Sequence, residues 1–245
     1  MSQETILYDL PSQGRCSCWS LNPWKARLSL NYKQIPYRTE WIEYPDLRAS
    51  LSALGLPPNP EGTNYADYSS PAARLSDGTY HMDSLQIAHA LEKLHPAPSL
   101  HLDGGAIARV QRVVLAFQRS LAAIAMPRIP VKVLRPASRE YFRTTRAKRF
   151  GMPLEELAMS EQAGEGAWEA AQPSMAELKA ILHERGEGPY VMGATVSFAD
   201  FIIAGFWRFL QILDEDGDLF GRALEFDESF VRHYEACKQW LERDD

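Results

Sequence analysis

The sequence predicts an α/β unit over residues 1–96 and an all-helical unit over residues 106–245, joined by a linker over residues 97–105. Three observations predict this. Before Pro96 the apolar residues switch between a period of two and helical spacing, in the order β-α-β-α-β-β-α. After Ala106 the period-two signal almost vanishes and helical stripes replace it. Between the two, "PAPSLHLDGG" has the Pro, Gly and polar content of a connection.

The first strand is "TILYDL" (residues 5–10), which alternates and carries Ile, Leu and Tyr. A loop with Gly14, Cys16 and Cys18 follows. Asn22 then offers a capping side chain with Pro23 at the first helical position, and Trp24, Leu28 and Leu30 begin an apolar face. Residues 37–44 ("YRTEWIEY") alternate again and are rich in aromatic and β-branched residues, as a second strand is. A short helix over residues 47–54 stops at Gly55, and a loop rich in Pro, Asn and Gly runs on to about residue 67. "SSPAARL" and "YHMD" flank Asp77-Gly78, a pair that adopts the turn joining antiparallel strands, so they read as a hairpin. Asp83 and Ser84 open a helix in which Leu85, Ile87, Ala88, Leu91 and Leu94 follow helical spacing up to Pro96.

In the second unit Ile107, Val110, Val114, Phe117, Leu121 and Ile124 trace one stripe of a long helix. Further helices are read at 139–150, 166–185, 197–213 and 228–241, with "MPRIPVKVLRP" as a loop. Ser197 and Asp200 form an S-x-x-D capping box and read as structural.

A net charge of −6 argues against a general nucleic-acid binder, which needs basic surface to neutralise phosphates. The locally basic "REYFRTTRAKR" reads as a solvated helix face. No apolar run of about 18 residues is present and the first residues lack a basic, apolar leader, so a cytosolic protein with no membrane partner is expected. Three cysteines, two of them one residue apart, fit neither a redox C-x-x-C pair nor a zinc knuckle; disulfides and metal are not expected. Cys237, in the last amphipathic helix, reads as a buried apolar residue.

Four motifs, in this order and spacing, resemble the cytosolic glutathione transferase family over nearly the whole chain: "SLNPWKARLSLNYKQIPY", "SSPAARL", "MDSLQIAHAL" and "SFADF". The version seen here looks most like fungal or bacterial members related to β-etherases and zeta-type isomerases. The resemblance implies a thioredoxin-like N-terminal domain that binds glutathione and an all-α C-terminal bundle that forms the second substrate site. It implies glutathione as cosubstrate and a homodimer as the assembly.

It also implies roles for particular residues. Trp24-Lys25-Ala26-Arg27 matches the family's Trp-basic-x-basic segment, which puts Ser20 at the position of the catalytic Ser or Cys, although Leu21 stands where the family has Pro. Lowering a thiol pKa of about 8.5 by about two units needs roughly 2.7 kcal/mol of preferential thiolate stabilisation. One charge-assisted hydrogen bond contributes about 1.5–3 kcal/mol and a helix N-terminus about 0.3–1 kcal/mol, so a hydroxyl at a helix start is sufficient. Cys16 and Cys18 are the rivals, since a thiol there would form a mixed disulfide with glutathione. Pro71 takes the family's cis-Pro position, where the backbone N–H and C=O of Ser70 pair with the cysteinyl part of the tripeptide. Asp83 and Ser84 match the pair that holds the γ-glutamyl end. For the glycyl carboxylate, Asn59, Asn64 and Lys25 all stand as candidates. Met126, Ile129, Phe142 and Trp207 are candidates for an apolar wall of the second site, with Tyr141 nearby.

The expected function is attack of the glutathione thiolate on an electrophilic aromatic or conjugated small molecule, by conjugation, ether cleavage or isomerisation. Two other readings stay open: a non-catalytic carrier of glutathione or an apolar ligand, and a glutathione-independent biosynthetic enzyme on the same scaffold.

Overall fold

The computed structural model describes residues 3–62, 66–186 and 188–245. The first unit contains β1 (Thr5–Asp9), α1 (Leu21–Tyr32), β2 (Tyr37–Trp41), α2 (Leu47–Ala53), β3 (Ala72–Arg74), β4 (Tyr80–Met82) and α3 (Ser84–Leu94), in the order the periodicity predicts. The strands lie in the order β2-β1-β3-β4, with β1 parallel to β2 and antiparallel to β3. A parallel pair needs a crossover, which α1 supplies. Alternation along β1 and β3 sends Leu7 and Ala73 into one cluster with Ala26 and Leu30 of α1 and Ile87 and Leu91 of α3. It sends Ile6, Tyr8 and Ala72 into the other, with Leu47 and Leu51 of α2.

Two local expectations change here. Ser20, not Asn22, is the N-cap of α1, and Pro23 stands third in the helix. The first four N–H groups of a helix have no acceptor within it, so a residue without an N–H is tolerated there. The second strand ends at Trp41, and Tyr44 begins a 3-10 turn over Tyr44–Asp46.

The second unit contains α4 (Ala106–Ser120), α5 (Ala122–Lys132), α6 (Pro136–Phe150), α7 (Leu154–Ala158), α8 (Glu165–His183), α9 (Phe198–Leu213), α10 (Phe220–Glu225) and α11 (Glu228–Cys237). The expected single stripe over residues 107–124 is broken at Leu121, where ψ is 4°. "MPRIPVKVLRP", expected as a loop, is largely α5, with Pro127 and Pro130 inside it. Prolines are read as breakers, but burial of Ala123, Ala125 and Ile129 outweighs the hydrogen bonds they remove. α7 and α10 are too short for a periodic signal and were not anticipated.

α9 is buried almost all round and packs against α1. Gly205 permits this approach: a Cβ there would lie 3.1 Å from Trp24 Cβ and 3.2 Å from the Leu21 carbonyl oxygen. The helix start is held by the expected box, in which Asp200 Oδ2 accepts from the Ser197 N–H at 2.8 Å and its hydroxyl at 2.9 Å. The C-terminal residues fold back onto the first unit. Asp244 O accepts from the Cys18 N–H at 2.6 Å, and the Arg243 guanidinium donates to the Tyr37 carbonyl. This covers β2, an edge strand whose free groups would otherwise face solvent.

Candidate active site

α1 begins where β1 and the loop over residues 10–19 deliver Ser20 as its N-cap. Ser20 is half-buried in extended backbone (φ −88°, ψ 139°), and its hydroxyl makes no capping bond. Its carbonyl accepts from the Trp24 N–H at 3.2 Å. The hydroxyl is therefore unspent at the positive end of a twelve-residue helix with no acidic residue in its first turn.

The rival thiols are placed differently. Cys18 is completely buried, and its Sγ lies 3.9 Å from the Ser20 carbonyl oxygen, which it faces as donor. Burial, with Asp9 beside it, pushes the Cys18 thiol well above its ordinary range. Cys16 is half-buried, and desolvation raises its thiol also, although the Ser12 backbone and Arg135 oppose this. A raised pKa is the opposite of what an attacking thiolate needs. Tyr8, on β1, is no alternative acid, because burial and then the Glu40 charge push its phenol up to about 12.

The Ser70–Pro71 peptide is cis, as the resemblance implies. Ser70 donates its hydroxyl to the Tyr8 carbonyl at 3.3 Å, and among the described residues no backbone hydrogen bond engages its own N–H or C=O. These two groups lie just ahead of β3 in the chain.

Asp83 is the N-cap of α3, and its Oδ1 accepts from the Leu85 and Gln86 N–H groups at 2.8 and 3.3 Å. Its φ of 82° is unusual for a residue with a side chain. Ser84, the first helical residue, is 2% exposed, and no hydrogen bond of its hydroxyl is formed among the described residues. The capping role of Asp83 is thus observed, and it leaves Oδ2 free.

The candidates for the glycyl end fare unequally. Asn59 spends its amide on the Ala66 carbonyl at 2.9 Å and the Ser69 hydroxyl at 3.1 Å, bracing its own loop. Asn64 lies outside the described residues. Lys25 is 7% exposed and close enough to Asp83 for that charge to act on it.

The proposed apolar wall is corrected. Ile129, Phe142 and Trp207 are 2%, 1% and 0% exposed, so they belong to the core; Met126 is partly buried against it. Trp207 packs on Phe117, Phe206 and Phe230, deep among the helices. A cluster of aromatic side chains joins the residue before Ser20 to α6. That residue, Trp19, lies 6.3 Å from Tyr44, which stacks on Tyr141 at 6.0 Å with 20° between the planes. The Arg146 guanidinium sits 4.3 Å from the Phe142 ring centre and 5.4 Å from that of Tyr44. The Ser138 hydroxyl on α6 accepts from the Tyr44 N–H at 3.0 Å and donates to Glu43, which fixes the two units against each other here. "REYFRTTRAKR" is therefore largely engaged: Arg139 donates to the Leu134 carbonyl, Arg143 pairs with Glu155 and Arg146 stacks.

Comparison with known proteins identifies the family. The family model described as "Glutathione S-transferase, N-terminal domain" matches residues 19–94, and that described as "Glutathione S-transferase, C-terminal domain" matches residues 108–240. A glutathione S-transferase-like protein, ustS, of Aspergillus flavus is 30% identical, with 94% of this chain and 87% of that protein covered. The crystal structure of glutathione transferase GSTFuA3 from Phanerochaete chrysosporium superposes with a TM-score of 0.85 at 29% identity, covering 100% of both chains. CsGST63524 of Ceriporiopsis subvermispora, solved in complex with glutathione, has a TM-score of 0.85 at 27% identity, covering 99% of this chain and 100% of that one. Among the described residues no group of three or more His, Cys, Asp or Glu is placed to hold a metal, and no helix is long and apolar enough to cross a membrane. With both domain models matched over most of its length, this chain belongs to the glutathione S-transferase family.

Proposed function

We propose that the protein activates the thiol of glutathione through the Ser20 hydroxyl for attack on an electrophilic aromatic or conjugated small molecule. The observation that carries this reading is Ser20 itself: it caps α1 through its backbone and leaves its hydroxyl unspent at the helix mouth. Ser70 would dock the cysteinyl backbone next to Pro71, and Asp83 with Ser84 would hold the γ-glutamyl end. The pair formed by half-buried Tyr44 and exposed Tyr141 supports an aromatic acceptor, since stacked rings bind a planar ring by offset contact. Conjugation, ether cleavage and isomerisation all begin with the same thiolate. A homodimer in the cytosol is the assembly and location we infer, the latter supported by three unpaired cysteines.

Thiolate absorbance of bound glutathione, followed against pH, tests the reading. In Ser20→Ala the thiol pKa is expected to return toward about 8.5, with kcat/KM for a conjugation substrate lowered about 10- to 100-fold. An unchanged thiol pKa removes Ser20 from this role, and full turnover without glutathione overturns the reading as a whole.

A further inference from the structure

We propose that Lys25 is a glutathione-binding residue that receives the α-carboxylate of the γ-glutamyl group at the mouth of α3, leaving the α-ammonium to Asp83. This rests on the glutathione reading above, in which Asp83 and Ser84 hold the γ-glutamyl end, and goes beyond it by adding Lys25 to that end.

Lys25 is on α1, which packs directly against α3. It is 7% exposed, yet among the described residues its ammonium makes no hydrogen bond and has no carboxylate within 4.0 Å. Lys33, the C-cap of the same helix, shows how this fold treats a lysine that is purely structural. The Lys33 ammonium, equally buried, meets the His95 and Pro98 carbonyls at 2.6 and 2.7 Å and Glu92 at 2.9 Å. A buried ammonium with three unpaired donors is costly, because desolvation is not offset by any acceptor. That cost is visible in its pKa, which burial lowers to about 8, with Asp83 opposing the shift. The nitrogen is not sealed in, unlike the indole nitrogen of Trp24 beside it, so a ligand can reach it.

Around the start of α3 the chemistry divides by sign. Lys25, the Ser84 hydroxyl and the N–H groups of an eleven-residue helix offer donors to an anion. Asp83 Oδ2, free of the cap bonds made by Oδ1, offers an acceptor to a cation. An α-amino-acid head group carries one of each on a single carbon. In glutathione only the γ-glutamyl end has that head; the glycyl end has a carboxylate alone.

Calorimetric titration at pH 7 tests the assignment with glutathione and two analogues. These are 4-aminobutyryl-Cys-Gly, which lacks only the α-carboxylate, and glutaryl-Cys-Gly, which lacks only the α-amine. Wild type is expected to bind the first analogue about 10- to 100-fold more weakly than glutathione. Lys25→Met is expected to bind glutathione more weakly by a similar factor and to lose little more with the first analogue. The second analogue should cost both proteins the same factor. Lys25→Gln serves as a second variant should the first be poorly folded. If the first analogue loses the same factor in the variant as in wild type, the Lys25 assignment is overturned while the glutathione reading stands. If wild type fails to bind glutathione, both fall.

Discussion

Arg27 and Asp9 meet at 3.0 Å with neither side chain exposed, joining the second turn of α1 to the end of β1. The same guanidinium donates to Tyr37 and Thr39 of β2 and to the backbone oxygen of Asp245, while Asp9 Oδ1 accepts from the Leu10 N–H at 2.6 Å. The pair thus holds sheet, helix and C-terminal residues in one network.

Breaking one half of this pair should cost more than replacing both. Arg27→Met leaves a buried carboxylate without its partner and is expected to lose about 3–5 kcal/mol of stability. Adding Asp9→Asn, which keeps the acceptor for Leu10 and removes the charge, should restore part of that. Urea denaturation of the two single variants and the double variant checks the coupling; equal and additive losses contradict it.

Gly205 links the helical domain to the geometry of Ser20. Its missing side chain is what lets α9 pack closely on α1, since a Cβ there would lie only 3.1–3.4 Å from atoms of Leu21 and Trp24. Gly205→Val should therefore cost about 1–3 kcal/mol by overpacking. It should also displace the first turn of α1, so the thiol pKa of bound glutathione rises along with the loss of stability. A stability loss with no change in that pKa would show that the contact does not position Ser20.

The three cysteines should separate by accessibility. Cys16 is half-buried, whereas Cys18 and Cys237 are fully buried, so alkylation of the native protein is expected at Cys16 alone, and more slowly than for a free thiol. Peptide mass mapping after brief iodoacetamide treatment reads this directly. Cys16→Ser should leave the pKa of bound glutathione unchanged; a large rise would put a cysteine back in the reaction.

The pH dependence of stability carries the mark of Lys25. Its pKa is lowered on folding, from 10.5 to about 8, so between those values the unfolded chain binds more protons than the native one. Stability contributed through this residue therefore rises as pH increases from about 8 to about 10.5, by up to about 3 kcal/mol. Over the same range glutathione binding weakens as the ammonium is lost. Comparing wild type with Lys25→Met cancels other titrating groups, and the rise should be present only in wild type.

The order of elements in the first unit was legible from residues 5–94 because each strand and helix there shows its own period and is punctuated by Gly, Pro or a capping side chain. The cis peptide before Pro71 and the helix start at Asp83 and Ser84 were legible too, since they depend on short motifs at element ends, whereas the capping place of Ser20 was not, because Asn22 and Pro23 read as the helix start. α5 was hidden because two prolines read as breakers, while the burial that overrides them is known only once α6 and α9 are in place. The same holds for the pairing of Tyr44 with Tyr141 and for the approach of Lys25 to Asp83. Their sequence separations carry no periodic signal, and packing of one element on another created both. Local sequence determined which groups were available at the ends of helices and strands. Tertiary structure decided which of them were satisfied by the protein and which kept an unspent polar group, because desolvation and partnering depend on neighbours that the chain brings together only on folding.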